Sequence, residues 1–302
     1  MKYLSDNKTM KFICYLKGSR GLLVLIELIK KKLVPRYVLV EKKTEVKILE
    51  ICEKNGISTI ITNNPNSKKN IKWIRKENIS FLCAIGFSKI LSRELLDATK
   101  LGAINCHGGD LPYYRGASPI PWQIINGENK GSASILCMTE GIDDGPIIKQ
   151  EYYDIDDQDN ATTITDKVNK IFIKNVPKVI SSIFENGKIP KGKKQSNHNE
   201  CYWTRRVPSD GLINWKDMNV YEITNMVRAL TSPYPGAYSY IDNKKIIFYK
   251  VKPHPILIKG IAGRYVGKKF GYETIICKNG AIAIEDYTID GAISLKYGDT
   301  LI

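Results

Sequence analysis

Between Leu101 and Gln150 the chain sets Asn105 and His107 two residues apart, follows them with a Pro- and Gly-rich loop holding Arg115, and ends in an acidic turn, Asp143-Asp144-Gly145. An amide donates hydrogen bonds to a polarised oxygen, and an imidazole moves a proton near neutral pH. A carboxylate can orient the ring. Those are the parts of an acyl-transfer site. By itself an Asn-x-His at a strand end is more often a capped turn than a catalytic pair.

The elements that must position these groups are readable. Leu101, Ala103 and Ile104 predict a short buried strand, so Asn105 and His107 fall at or just beyond its carboxyl end, where open α/β sheets bind ligands. Residues two apart on an extended chain point the same way. The apolar run 134–138 predicts a second strand leading into the turn at Gly141-Ile142-Asp143-Asp144-Gly145, whose glycines let the backbone bend around a carboxylate.

Upstream, residues 10–17 read as a strand, Gly18-Ser19-Arg20-Gly21 opens an amphipathic run with a basic end, and residues 37–40 read as a second strand. A β-α-β start predicts a Rossmann-like parallel sheet, hence an α/β fold. The glycines do not complete G-x-G-x-x-G, and no acidic residue is read as closing the second strand for a ribose, which disfavours an NAD(P) site. A helix is expected over 44–55, a short strand over 58–62, a central strand over 79–85 and a helix over 92–99, joined by a turn through Phe87, Ser88, Ile90 and Leu91. Helical spacing returns over 162–186, with Pro177 as a kink. The basic connector 188–199 has no apolar period and marks a boundary, giving domains 1–200 and 201–302. From Ala237 short alternating strands recur between turns, the rhythm of a small OB-like barrel.

Composition excludes several classes. With 302 residues, 43% hydrophobic and 25% charged, the chain can bury two cores. No run approaches a membrane span, and the N-terminus is too polar for a secretory signal. Seven scattered cysteines and three distant histidines suggest neither a disulfide framework nor a metal site, so a metal-free cytoplasmic protein is expected. The formal charge of +15 is mostly lysine spread along the chain, a solvated surface more than a nucleic-acid patch.

Asn105/His107, the loop Leu111-Pro112-Tyr113-Tyr114-Arg115-Gly116 and Asp143-Asp144-Gly145 together resemble the folate-dependent formyltransferases. That family includes methionyl-tRNA, glycinamide ribonucleotide and nucleotide-linked amino-sugar enzymes. The likeness continues through Ala117-Ser118-Pro119, Trp122 and Gly127, and more weakly from about Phe81 to Val251. It implies that N10-formyltetrahydrofolate is the co-substrate, bound near Phe87, Ser88, Ile90 and Leu91 and by Gly141 and Asp143. It also implies catalytic roles for Asn105, His107 and Asp143, the last chosen over Asp144 by the family's Asp-x-Gly pattern.

Acceptor identity rests on departures and additions. Gly109-Asp110 stands where many members have Ser-Leu, and the passage from Val40 to the next helix lacks the basic insertion of tRNA enzymes. The segment from Tyr202 to Trp215 is more similar to amino-sugar formyltransferases. The expected acceptor is a nucleotide-linked amino sugar, held by Gly109, Asp110, Tyr113, Arg115, Arg205, Arg206, Arg228 and Tyr234, with guanidinium groups matching phosphate oxygens. Methionyl-tRNA is the alternative acceptor, and a homodimer is allowed. A non-catalytic folate- or nucleotide-binding protein is the alternative of another class, disfavoured because Asn105, His107 and Asp143 are all present.

Overall fold

Five fully buried residues in a row, Phe12–Leu16, make strand β1, the pattern of a parallel strand covered on both faces. The computed structural model describes residues 10–42, 45–196, 198–291 and 294–302. The expected start of the second helix at Thr44, and most of the N-terminal stretch read for a signal, lie outside the described residues. Two compact units emerge. The first runs to Ala117 and adds Ser132–Tyr153 and Lys167–Tyr202; the second takes Ser118–Gly131, Asp154–Asp166 and Trp203–Ile302. The last change of unit, at Tyr202, falls close to the sequence boundary, but two earlier segments also belong with the second unit.

In chain order the first stretch reads β1, α1 (Gly18–Lys30), β2 (Tyr37–Val40), α2 (Val46–Lys54), β3 (Ser58–Ile61), α3 (Lys68–Glu77), β4 (Phe81–Ile85), α4 (Arg93–Leu96) and β5 (Ala103–His107). Helix α1 buries Gly21, Val24, Leu25 and Leu28, the i, i+3, i+4, i+7 stripe of an amphipathic helix against a sheet. Helix α3 starts on Ser67, whose side chain accepts from the Asn70 N–H, and stops at Asn78 in the left-handed conformation. Then follow β6 (Arg115–Gly116), α5 (Pro119–Ile125), β7 (Lys130–Cys137), β8 (Ile147–Asp154) and α6 (Ala161–Asn186), which carries Pro177 inside it.

The sheet order is β3-β2-β1-β4-β5-β7-β8. Strands β3 to β5 pair in parallel, and β7 runs antiparallel to β5, with Asn105 opposite Leu136 and His107 opposite Ser134. The chain winds outward from β1 to β3 and returns at β4. Strands β1 and β4 are thus the switch point, whose carboxyl ends flank a natural crevice. Ile13, Tyr15, Leu39, Leu82 and Leu95 form the core on one face.

After α6 comes the short strand β9 (Tyr202–Trp203), and the second unit is built on β10 (Ala237–Ile241), β11 (Lys244–Pro253), β12 (Tyr265–Lys269), β13 (Tyr272–Cys277) and β14 (Gly280–Ile289). They form a five-stranded antiparallel sheet in the order β10-β11-β14-β13-β12, the separate antiparallel β-domain that the alternating pattern predicts. Helix α7 (Val220–Ala229) is capped by Asn219 and Glu222 reciprocally and packs on β11. Trp215, buried, meets Phe248 edge-on at 5.7 Å and donates its indole N–H to Ser239 Oγ at 2.8 Å. That satisfies the one polar atom the ring brings into the core.

Candidate active site

Strand β5 lies about two residues further along the chain than the apolar residues suggest, from Ala103 to His107. Asn105 and His107 lie within it, His107 as its last residue, so their shared direction is imposed by the ladder and not by a loop. From β7 the chain enters the acidic turn, and there the backbone is crowded. A Cβ on Gly145 would stand 1.9 Å from Cys137 O, so only glycine fits. Asp143 takes φ +51°, a conformation non-glycine residues rarely adopt. The two acids of the turn separate: Asp144 accepts from Thr139 Oγ1, while Asp143 turns to β5.

Asp143 is where the groups converge. Its Oδ1 accepts from Asn105 Nδ2 at 3.0 Å, and its Oδ2 accepts from the Gly116 N–H at 3.0 Å and faces His107 Nδ1 at 3.3 Å. Both members of the His–Asp pair are nearly buried, with side-chain exposures of 6% and 12%, so water screens their interaction little. On the other side of the ring, His107 Nε2 lies 2.6 Å from Tyr114 O, an atom that only accepts. Each ring nitrogen thus faces an oxygen that can accept from it, Asp143 Oδ2 on one side and Tyr114 O on the other. A cavity of about 20 Å³, the scale of one water, opens among Asn105, Cys137, Met138, Asp143 and Gly145. A larger groove of this unit, about 650 Å³, is lined instead by α1 and α6 residues such as Glu27, Lys170 and Lys178 and includes none of the three. Chemistry, not volume, locates the site.

The constellation can polarise a carbonyl and move a proton in a nearly dry setting. Its match to known proteins is direct. The formyl transferase family covers residues 27–180, and the formyl transferase C-terminal domain covers residues 206–301. The chain belongs to the formyl transferase family. The bifunctional polymyxin resistance protein ArnA of Wigglesworthia glossinidia brevipalpis is 35% identical over 205 residues, 66% of this chain and 30% of ArnA, so the chain spans under a third of that relative. Methionyl-tRNA formyltransferase of Geobacter metallireducens is 30% identical over 258 residues, 83% of this chain and 79% of that one. Among solved structures, WlaRD, a sugar 3N-formyl transferase in the presence of dTDP and 5-N-formyl-THF, superposes with a TM-score of 0.64 at 23% identity over 91% of this chain and 97% of WlaRD.

The remaining sequence-predicted residues divide by what they already hold. In the turn after β4, Phe87 meets Tyr15 at 5.1 Å and Leu91 is buried in the core, whereas Ile90 is 62% exposed. Ser88 donates to Glu41 Oε1 and accepts from Lys17 Nζ, both at 3.0 Å. Glu41 is a correction to the sequence reading: an acidic residue does follow β2 directly. Burial alone would raise its pKa, but hydrogen bonds from Ser88 and Lys17 and the charges of Lys17 and Lys89 outweigh this and hold the carboxyl below its ordinary range. Glu45 Oε2 accepts from the Gly18 N–H at 3.0 Å, so a carboxylate meets the start of α1, where dinucleotide folds seat a pyrophosphate. Gly141 stands against Asp144, where a Cβ would clash.

In the loop after β5, Gly109 is buried, and Asp110 Oδ1 accepts from Ser132 Oγ and Gln150 Nε2, each at 3.1 Å. Tyr113 is 45% exposed. Arg115, predicted to touch the acceptor, is 2% exposed and committed to the frame. Its Nε and Nη2 reach Gln195 Oε1, and its Nη1 reaches Glu200 at 2.6 Å and the Tyr202 hydroxyl at 2.9 Å. The other three arginines and Tyr234 belong to the second unit. Arg205 is exposed, whereas Arg206 lies over Trp122, 4.6 Å from the ring centroid, and donates to Asp210 O at 2.7 Å. Arg228 gives Nη1 to the carbonyls of Asp156 and Asp159. Burial lowers the pKa of both Arg206 and Arg228. Tyr234 packs on the second core.

Sequence reasoning missed Gln195, Glu200, Lys17, Glu41, Ser132 and Gln150. For Glu41 a signal existed, the first residue after a predicted strand. For Gln195, 80 positions from Arg115 inside a linker-like segment, no local spacing exists to find it.

Proposed function

We propose that this formyl transferase moves a formyl group from N10-formyltetrahydrofolate to the primary amine of a nucleotide-linked deoxyamino sugar. The leading candidate is dTDP-4-amino-4,6-dideoxyglucose, in cytoplasmic synthesis of surface polysaccharide such as lipopolysaccharide. In this reading residues 1–200 form the catalytic domain and 201–302 the OB-like domain. Membership of the family supports the reaction. The observation that carries the acceptor is the sequence between β2 and α2, only five residues from Glu41 to Glu45, which lacks the basic insertion of the tRNA enzymes. WlaRD, solved with dTDP, supports the same choice by fold.

The folate would supply the formyl carbon, its ring resting on the 87–91 turn. That turn fits such a ligand through backbone and Ile90 more than through polar side chains, because the Ser88 hydroxyl is already engaged. As the amine attacks, charge develops on the formyl oxygen. Asn105 gives one Nδ2 hydrogen to Asp143 and has a second to aim at that oxygen, an oxyanion role worth about 2.7–4 kcal/mol. His107 takes the proton leaving the attacking nitrogen. To do so, the ring keeps its own N–H at Nδ1 on Asp143 and leaves Nε2 unprotonated, turned from Tyr114 O to the amine; Nε2 then passes the proton to the folate N10 as the formyl C–N10 bond breaks. Asp110 and Tyr113 are acceptor-facing candidates of the first unit, with Gly109 giving close backbone approach; Arg205 is a separate candidate carried by the second.

The relatives named methionyl-tRNA formyltransferase, matching 83% of the chain at 30% identity, favour a second acceptor. Both are tested together. Protein, formyl donor, a panel of nucleotide-linked amino sugars and charged initiator tRNA are incubated, and the gain of a formyl group is read by mass spectrometry. Efficient, salt-resistant formylation of the tRNA with none of the sugars overturns the sugar reading.

A further inference from the structure

Asp143 holds an unfavourable backbone conformation, φ +51°, at the point where Asn105, Gly116 and His107 meet. Such a conformation costs of order 1 kcal/mol and persists only where the surroundings over-determine it. The group that does so lies in the segment whose composition reads as a linker. Gln195 Nε2 donates to Asp143 O at 2.7 Å and to Gly145 O at 2.8 Å. Its Oε1 accepts from Arg115 Nε at 3.1 Å and Nη2 at 3.0 Å.

Both amide hydrogens and both lone pairs of Gln195 are therefore used, and the side chain is nearly buried, with 7% of the residue exposed. The amide has one sensible orientation. Turned over, it would set its oxygen against two carbonyls and its NH2 against a guanidinium. The segment carrying it is itself fastened: Lys193 exchanges two 2.8 Å backbone hydrogen bonds with Ile147, and a Cβ on Gly192 would stand 2.7 Å from the Pro146 backbone. Arg115, anchored by Glu200 and Tyr202, completes the brace. Asp143 is thus gripped at both ends, its carboxylate by the Gly116 N–H and its main chain by Gln195.

We propose that Gln195 is a positioning residue for formyl transfer: its two donated hydrogen bonds fix the Asp143 backbone so that the carboxylate stays on His107 Nδ1. The proposal rests on the reading of Asn105, His107 and Asp143 as the reacting set. Gln195 touches none of the reacting atoms, so its loss lowers turnover without weakening substrate binding.

Two variants separate its contacts. Gln195→Met keeps length and removes all four hydrogen bonds, whereas Gln195→Glu keeps an acceptor for Arg115 and removes both donated bonds at neutral pH. In the full-length protein the Nδ1 proton of His107, bound to a carboxylate, gives a downfield proton resonance. With only three histidines in the chain it is assigned by His107→Asn. Both variants should lose this resonance or move it upfield. Both should also lower kcat by about 10- to 100-fold, the cost of misplacing a catalytic group by about an ångström, with KM for donor and acceptor within about a factor of two.

Retention of the resonance and of kcat in a folded Gln195→Met protein overturns the proposal. So does a Gln195→Glu protein that behaves as wild type, since the grip would then run through Arg115 alone. If Gln195→Met fails to fold, Gln195→Glu decides by the same two readouts. The resonance decides the role of Gln195 even where wild type formylates no sugar tried; that failure strikes the acceptor only.

Discussion

Two sets of polar residues stand out in this sequence, and the structure uses them in opposite ways. Asn105, His107 and Asp143 meet within the first unit, their side chains facing one another, the Gly116 N–H and Tyr114 O. Arg206 and Arg228, in the second unit, spend their guanidinium groups on main-chain carbonyls and a tryptophan face. The difference follows from reach. Short side chains at alternate positions of a strand have their directions set by the pleat, so their convergence is written into spacing. A guanidinium on a long stem finds whatever acceptors surround it, and sequence does not say which. Arg115 makes the same point inside the first unit, where a loop motif residue becomes the keystone of a brace.

The contrast predicts a ranking of effects. His107→Asn should lower kcat by about 10²- to 10⁴-fold, the usual contribution of a general acid–base group, with folate affinity by calorimetry nearly unchanged. Turnover near wild type would remove His107 from the chemistry. Arg115→Met should come next. It strips a buried cation from Gln195, Glu200 and Tyr202, and the urea midpoint should report a loss of about 2–3 kcal/mol. Full stability with a raised acceptor KM would instead make Arg115 a substrate contact.

Arg228→Ala leaves two carbonyls without their donor and should cost about 1–2 kcal/mol of stability with kcat unchanged. Arg206→Ala removes one stacked cation, worth about 0.5–1 kcal/mol. Exposed Arg205→Ala should leave the melting curve alone and raise KM for the nucleotide sugar. Should Arg206→Ala raise that KM more than Arg205→Ala does, the contrast between the two sets fails.

The smallest effect is a pH effect. The Glu41 carboxyl is held below its ordinary pKa in the folded protein, so the stability it adds is fully present above its unfolded value, about 4.3. It is lost as pH falls through the lower folded value. Denaturation midpoints of wild type and Glu41→Gln measured over a pH series should therefore differ near neutrality and converge in acid. A constant gap would show that Glu41 acts through packing.

Much of the fold was legible because periodicity is a local property. Strand β2 matches its expected bounds, and β4, β5, β10 and β14 lie where apolar runs place them, since such runs fit only buried strands. Strand β5 extends through His107 because β7 pairs with it, and pairing is not visible in one strand. The connector after α6 reads as a spacer, yet it holds Lys193 against Ile147 and Gln195 against Asp143.

By itself, then, the sequence determined which groups could react, since Asn105, His107 and Asp143 are named by type, by spacing and by likeness to formyl transferases. It determined the parallel sheet and the β-domain because each rests on the order of short periodic runs. Only the tertiary structure separates Asp143 from Asp144 by their partners, giving Thr139 to Asp144 and the amide, imidazole and Gly116 N–H to Asp143. Only it assigned the long cations and Gln195 their partners. Those hydrogen bonds join residues as far as 87 positions apart, and which carbonyl or amide lies within reach is fixed by how the strands and helices pack, not by the spacing along the chain.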